Sequence, residues 1–368
     1  MPVLSPYAAR CACAPESGAA PSRRGFLQAA GVFTTAGLAG LGGCAAAGPG
    51  AGRPVVDTHH HFYPPAYQQA WEAWDDRNKV PHFVAQRSWT PRVSIDAMDA
   101  AGVRTAVLSL PSTPGLWFDT GPAEAVRLAR LCNDYGAQMV RDFPGRFGLF
   151  ATLPMVDVEA SLKEIAYAFD VLKADGVGLQ TSYGNTWAGD PAFAPLFDEL
   201  DRRRAVVYFH PLVGSCCDRL PVGVRAGVIE VPHDTTRAAM SLLAHGTLAR
   251  CRGIRWLLSH GGGTIPMLAG RIETQLVGFK DLDKLAPDGV LAELKRMYYD
   301  TANAAYAPSM AALQAFVPEQ QIVYGSDYPY VAMDKQLQAL DRMGLPAARL
   351  DAIEVDNARR LLPGLARG

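Results

Sequence analysis

Val55-Val56-Asp57-Thr58-His59-His60-His61-Phe62 carries no helical period: two valines and an aspartate run straight into consecutive histidines. In an extended strand successive side chains point to opposite faces, so His59 and His61 share one face and His60 takes the other. Two imidazoles side by side at a strand end form half of a metal site, because neutral histidine is the commonest metal ligand. Alone, the stretch reads equally well as the start of a histidine-rich loop, and the rest of the chain decides between the two.

Outward from this first run, β-type and amphipathic helical patterns alternate. Further strands are predicted over 105–110, 148–153, 176–181, 205–210, 254–260, 297–301 and 321–327, with helical patterns such as 123–140, 159–172, 235–249 and 291–296 between them. Strand–helix alternation repeated eight times over about 300 residues is the pattern of a (β/α)8 barrel, a TIM barrel. A doubly wound open sheet is the runner-up, but no Gly-x-Gly-x-x-Gly follows a strand. Residues 62–94 interrupt the alternation with Trp71, Trp74, Trp89 and several prolines. They read as a small insertion covering the barrel mouth, most of its aromatics forming its own core.

In such a barrel, functional side chains stand at the C-terminal ends of several strands. His210 ends the fifth run, His260 the sixth before three glycines, and Asp327 the eighth in Gly325-Ser326-Asp327-Tyr328-Pro329. A single strand-end histidine is usually structural. Five such residues on strands one, five, six and eight are hard to ascribe to chance. His60 faces away by alternation, His82 lies in the insertion, His245 in a helix and His233 in a loop near the rim, so none of these reads as a ligand.

Paired histidines on strand one, a histidine on each of strands five and six, and an aspartate on strand eight resemble the amidohydrolase superfamily over roughly 55–362. The finer motifs are His59-His60-His61-Phe62 with Pro64-Pro65, His260-Gly261-Gly262-Gly263 with Pro266, and the Gly325–Pro329 run. Together they resemble its decarboxylase branch, which contains the aminocarboxymuconate-semialdehyde, γ-resorcylate and 6-methylsalicylate enzymes, the last being the most similar. The resemblance implies one divalent ion, zinc or manganese, held by His59, His61, His210 and Asp327. His260 and Asp327 are then catalytic, and Asp300 supports a ligand histidine. Arg271 matches a position that binds substrate carboxylate, in some members from the neighbouring subunit, which implies a homodimer or higher oligomer. Trp117, Phe118 and Tyr183 are candidates to line an aromatic pocket. Two departures matter. Binuclear members bridge their metals with a lysine at the end of strand four, where this chain has Gln180, with Lys173 upstream. Semialdehyde decarboxylases carry a substrate arginine where Trp89-Thr90-Pro91-Arg92-Val93-Ser94 has serine, which favours a small aromatic monocarboxylic acid as substrate. The main rival is a hydrolase of an amide, ester or lactone on the same scaffold. A second is an exported metal-binding or surface interaction protein whose site is inactive.

Length and composition bound these readings. The 368 residues are 49% hydrophobic and 19% charged with a net charge of −1, enough for a sizeable core and poorly suited to nucleic acid. Residues 1–52 read as a leader and linker, and 53–368 as the catalytic barrel. Ser22-Arg23-Arg24-Gly25-Phe26-Leu27 is a twin-arginine export signature, which implies passage through the twin-arginine machinery to the periplasm. Leu41-Gly42-Gly43-Cys44 resembles a lipoprotein processing site with Cys44 as the acylated residue, while Ala45-Ala46-Ala47 would suit ordinary cleavage. Past the leader only Cys132, Cys216, Cys217 and Cys251 remain, too few for a disulfide scaffold. Cys216 and Cys217 read as loop cysteines.

Overall fold

The computed structural model describes residues 53–111, 121–212, 223–224 and 226–367. The leader with Cys44, and Trp117, Phe118, Cys216 and Cys217, lie outside the described residues. Eight strands pair in parallel in chain order. They are β1 (Val55–His61), β2 (Val103–Ser109), β3 (Phe147–Thr152), β4 (Gly176–Gln180), β5 (Val206–His210), β6 (Arg255–Leu258), β7 (Tyr298–Asp300) and β8 (Ile322–Val323). Thr58 N–H donates to Tyr324 O at 3.0 Å, Asp327 N–H to His59 O at 2.9 Å, and His61 N–H to Tyr328 O at 2.9 Å. These bonds carry β1 across to the chain leaving β8, so the eight strands form a nearly closed barrel with helices outside. The (β/α)8 reading holds.

Two apolar layers build it. Val56, Val107, Phe150, Tyr208, Leu257 and Val323 fill the barrel interior, closed below by Leu361 and Leu362 at the end of the helix Asn357–Leu361. A larger cluster packs the outward faces of the strands against the helices. The register of β1 on β2 slips between Asp57 and His60, so one extra residue sits in β1. That bulge changes which face the following residues occupy. Without it, a strand that turns Val56 inward would also turn His60 inward; with it, His59 and His61 face the mouth and His60 faces outward.

Strand ends differ from the sequence expectation. β6 stops at Leu258 and β8 at Val323, so His260 and Asp327 stand in the following turns, both with positive φ (53° and 65°). A turn of this kind re-aims a side chain that a continued strand would send along its alternating face. Gly325 permits it: a Cβ there would lie 2.8 Å from the Cβ of His59 and 3.0 Å from that of Asp300. His233 lies in the helix Glu230–Ala244, not in a rim loop; its Nδ1–H donates to Ile229 O at 2.6 Å. The 62–94 segment forms the helices Pro65–Asn78 and Val84–Arg87 and the start of Pro91–Ala101. Tyr63, Tyr67, Trp71 and Trp89 are buried in the outer apolar layer, while Phe83 stacks flat on Tyr330 at 4.8 Å beside the mouth. No helix among the described residues is long and apolar enough to cross a membrane.

Candidate metal centre

His59 and His61 from β1, His210 from β5 and Asp327 after β8 bring one ligand atom each to within 4.8 Å of one another, all buried. His59 Nε2 lies 3.2 Å from His61 Nε2, and Asp327 Oδ1 lies 3.2 Å from each of these nitrogens. The outer nitrogens explain the orientation. His59 Nδ1 donates to Asp300 Oδ2 at 2.8 Å, and His61 Nδ1 faces Ser109 O at 3.3 Å, so both Nε2 lone pairs point at the centre. Two lone pairs and a carboxylate oxygen at this separation repel unless a positive charge sits among them. Histidine and carboxylate donors at these distances suit one ion about 2.0–2.2 Å from each, and the residues fit the group.

The electrostatics agree. Burial works against a charged His59, but Asp300 and Asp327 outweigh it and push the imidazole up to about 10. Burial lowers His61 to about 4, and burial with the neighbouring imidazoles of His61, His59 and His260 holds His210 well below its ordinary value. Burial would raise Asp327, yet His59 and the bonds from both β1 histidines hold its carboxyl well below the usual range. The centre therefore admits a single proton on His59, or a cation in its place.

His260 stands beside this group, its ring centroid 5.0 Å from that of His59 and 5.9 Å from that of His210. Its backbone N–H donates to Asp300 Oδ1 at 2.8 Å, and its Nδ1–H donates to Ala302 O at 3.1 Å, which leaves Nε2 as a lone-pair nitrogen. Burial lowers its pKa. Asp300 thus ties His59 to His260 through its two oxygens.

A model of the amidohydrolase family matches residues 56–364. The chain belongs to the amidohydrolase family. It is 36% identical to the 6-methylsalicylic acid decarboxylase of Aspergillus aculeatus, over 85% of this chain and 97% of that one. It is also 36% identical to a decarboxylase of Penicillium terrestre, over 76% of this chain and 85% of the relative. The dihydroxybenzoic acid decarboxylase of a Polaromonas species, solved with manganese and the inhibitor 2-nitroresorcinol, superposes with a TM-score of 0.71 at 19% identity, over 86% of this chain and 98% of that chain. At that identity the likeness is one of fold.

For this member of the amidohydrolase family, other site residues fall in several places. Gln180 ends β4 in register with His210, and the described residues hold one group of metal-ligand type. Lys173 is exposed, its Nζ on Asp170 O at the far end of β4. Tyr183 does not line the cavity at the metal centre. It is buried in the hairpin Ser182–Tyr183 with Thr186–Trp187, its hydroxyl accepting from Gln180 N–H at 2.9 Å. Arg271 lies exposed on the helix Ile265–Gln275, outside the cavity of its own chain. Ser94 is buried, and its Oγ lies 2.6 Å from Nε2 of the outward-facing His60, while Arg92 pairs with Asp96 at the surface.

Three features escape the sequence motifs. Asn303 Nδ2 donates to Asp327 Oδ2 at 2.7 Å, the oxygen that does not face the histidines. Asp57 accepts from Ser326 N–H at 2.9 Å and Ser326 O–H at 2.6 Å, fixing the turn that carries Asp327. Tyr330, stacked on Phe83, closes one side of the cavity with its ring edge-on to His61. Asn303 follows Asp300 by three residues, and no residue pattern announces it.

Proposed function

We propose that this protein is a metal-dependent, non-oxidative decarboxylase of a small ortho-hydroxylated aromatic acid of the 6-methylsalicylate kind, with zinc or manganese as its ion. The relatives that share most of its length support the substrate class. The observation that carries the reaction is the division of labour within Asp327: Oδ1 faces His59 and His61, while Oδ2 is held by Asn303 on the cavity side.

His59, His61, His210 and Asp327 would hold a divalent ion, which would supply Lewis-acid charge for an anionic oxygen-bearing substrate. The rest falls to side chains. Decarboxylation breaks the bond from ring carbon to carboxyl, releases CO2 and forms a C–H bond, so one proton enters per turnover. Asp327 begins as the anion, takes up a proton on Oδ2 from solvent or from the acid's hydroxyl, and delivers it to the ring carbon. The lone pair on His260 Nε2 orients the phenolic O–H, and Asp300 holds His59 and the His260 backbone in place. Tyr330, backed by the stacked ring of Phe83, forms one wall of the cavity.

His260→Ala and Asp327→Asn are expected to lower turnover by ~10²–10⁴-fold, with metal content measured beside the rate. The deciding experiment incubates metal-loaded protein with ortho-hydroxybenzoates and, separately, with aryl esters and lactones. CO2 with the matching phenol is the expected product. Clean lactone or ester hydrolysis with no CO2 from any acid would establish the hydrolase reading instead.

A further inference from the structure

His60 is the histidine of the β1 run that the metal centre leaves out. Its ring faces outward from the barrel and is buried, yet both its nitrogens are engaged. Nε2 lies 2.6 Å from Ser94 Oγ on the helix Pro91–Ala101, and Nδ1 lies 3.3 Å from Asp57 Oδ2. Serine, histidine and aspartate in this order form the hydrogen-bond chain of a serine nucleophile. Here Ser94 is itself buried, so its hydroxyl is closed to a substrate. The chain leads towards the metal centre instead. One tautomer satisfies it throughout: Ser94 O–H donates to Nε2, and Nδ1–H donates to Asp57.

Asp57 passes the restraint on. Its Oδ1 accepts from Ser326 N–H at 2.9 Å and from His59 N–H at 3.1 Å, and its Oδ2 accepts from Ser326 O–H at 2.6 Å. Ser326 Oγ in turn accepts from Tyr328 N–H at 3.0 Å, and the Tyr328 ring stacks on that of His60 with centroids 4.9 Å apart. Ser326 and Tyr328 flank Asp327, so the turn is gripped on both sides of the residue that delivers the proton. Asp327 has a φ of 65°, a backbone state that persists in a non-glycine residue only where its surroundings over-determine it. Of the donors on Asp57, the imidazole alone is anchored outside β1 and the turn, through Ser94.

We propose that His60 is a positioning residue. Held by Ser94, it fixes the Asp57 carboxylate, and through Ser326 it keeps Asp327 Oδ1 on the ligand histidines and Oδ2 on the cavity side. It touches neither ion nor substrate. Its effect on turnover rests on the decarboxylase reading; its effect on the placement of Asp327 does not.

Three variants separate the two bonds of His60. His60→Asn sets an amide N–H where Nδ1 stands and keeps the bond to Asp57. His60→Gln reaches Ser94 instead and loses Asp57, while His60→Phe keeps the stack on Tyr328 and loses both. With 6-methylsalicylate and saturating manganese, kcat should fall about tenfold in His60→Phe and His60→Gln, the smaller end of what a hydrogen bond to a charged group is worth. KM should stay near that of the wild type, and His60→Asn should recover most of the loss. Protein loaded with cobalt(II) gives a readout apart from turnover. Its visible d–d band, which reports ligand geometry at the ion, should change in His60→Phe and His60→Gln and return towards the wild-type band in His60→Asn. Tm is measured beside both, because a merely structural role makes kcat follow Tm rather than the bond to Asp57. A wild-type cobalt band in both His60→Phe and His60→Gln overturns the proposal, as does a loss in all three variants that tracks Tm. Failure of all three to fold also overturns it, since His60 would then serve the fold alone. No turnover of any acid, with a cobalt band still altered in His60→Phe and His60→Gln and recovered in His60→Asn, removes the decarboxylase reading and leaves the positioning of Asp327 standing.

Discussion

Asp327 shows how much at this centre hangs on single atoms. Its two oxygens lie in different fields, one among lone-pair nitrogens and the other against the amide of Asn303. An amide N–H donor favours the anion and keeps the carboxylate from swinging both oxygens towards the ion. Asn303→Ala should therefore lower kcat about 10- to 100-fold, the value of a hydrogen bond to a charged group, while metal content stays near wild type. Asn303→Asp, which sets carboxylate against carboxylate, should cost more and should lose metal. Unchanged kcat in Asn303→Ala would show that Asp327 needs no such restraint. The ligands themselves were legible because chemistry limits them to His and Asp and the barrel limits them to strand ends. Asn303 was not, because an asparagine three residues past a strand is indistinguishable in sequence from any turn residue.

The elements explain why the strand ends were read too long. A run such as Tyr324-Gly325-Ser326-Asp327 has strand-like residues, but the ladder stops at Val323 and Asp57 takes over the hydrogen bonds of Ser326. Side-chain to backbone bonds over some 270 residues of sequence leave no local trace. Gly325→Ala tests the turn. The added methyl meets the Cβ atoms of His59 and Asp300, so stability should fall by about 1–3 kcal/mol, as for overpacking, and metal content should fall with it. A stable, fully loaded variant would show that the turn has room. A second joint lies between β4 and the helix Glu230–Ala244. Thr181 Oγ donates to buried Asp234 and accepts from Leu212 N–H at 3.0 Å. Burial pushes Asp234 up to about 6, against the pull of Thr181 and Arg237. Because this carboxyl ionises later in the folded chain than in the unfolded one, stability falls as pH rises from about 4 through about 6 and levels off above. Asp234→Asn should remove that share, on the order of 1–3 kcal/mol, so the urea midpoint should drop less between pH 4.5 and 7 than in the wild type. An equal drop would clear Asp234 of the effect.

At the scale of the whole molecule, fold class was readable because the alternation of strand and helix repeats through the chain, and a few misplaced ends do not alter a repeat. Two statements at this scale concern what the chain carries. The first is its leader, which we propose directs export: Arg23→Lys with Arg24→Lys should retain the protein in the cytoplasm on fractionation, and undiminished export would point to another route. The second is the ion. Lone pairs 3.2 Å apart on His59 and His61, with Asp327 Oδ1 equally near to both, form a site that favours one positive charge in the folded state, and the unfolded chain has no such site. A ligand bound only by the folded state stabilises it by about 2.7 kcal/mol at a hundred times its Kd, which in a chain of this size is a shift of roughly 5 °C. Chelation should thus lower Tm by about that much without unfolding the barrel, since a proton on His59 substitutes in part for the ion. Manganese or zinc should restore Tm along with activity, and metal analysis should approach one ion per chain, because Gln180 stands where a bridging lysine would be needed for two. A reproducible two ions, or an unchanged Tm with full decarboxylation in excess chelator, would overturn the mononuclear centre.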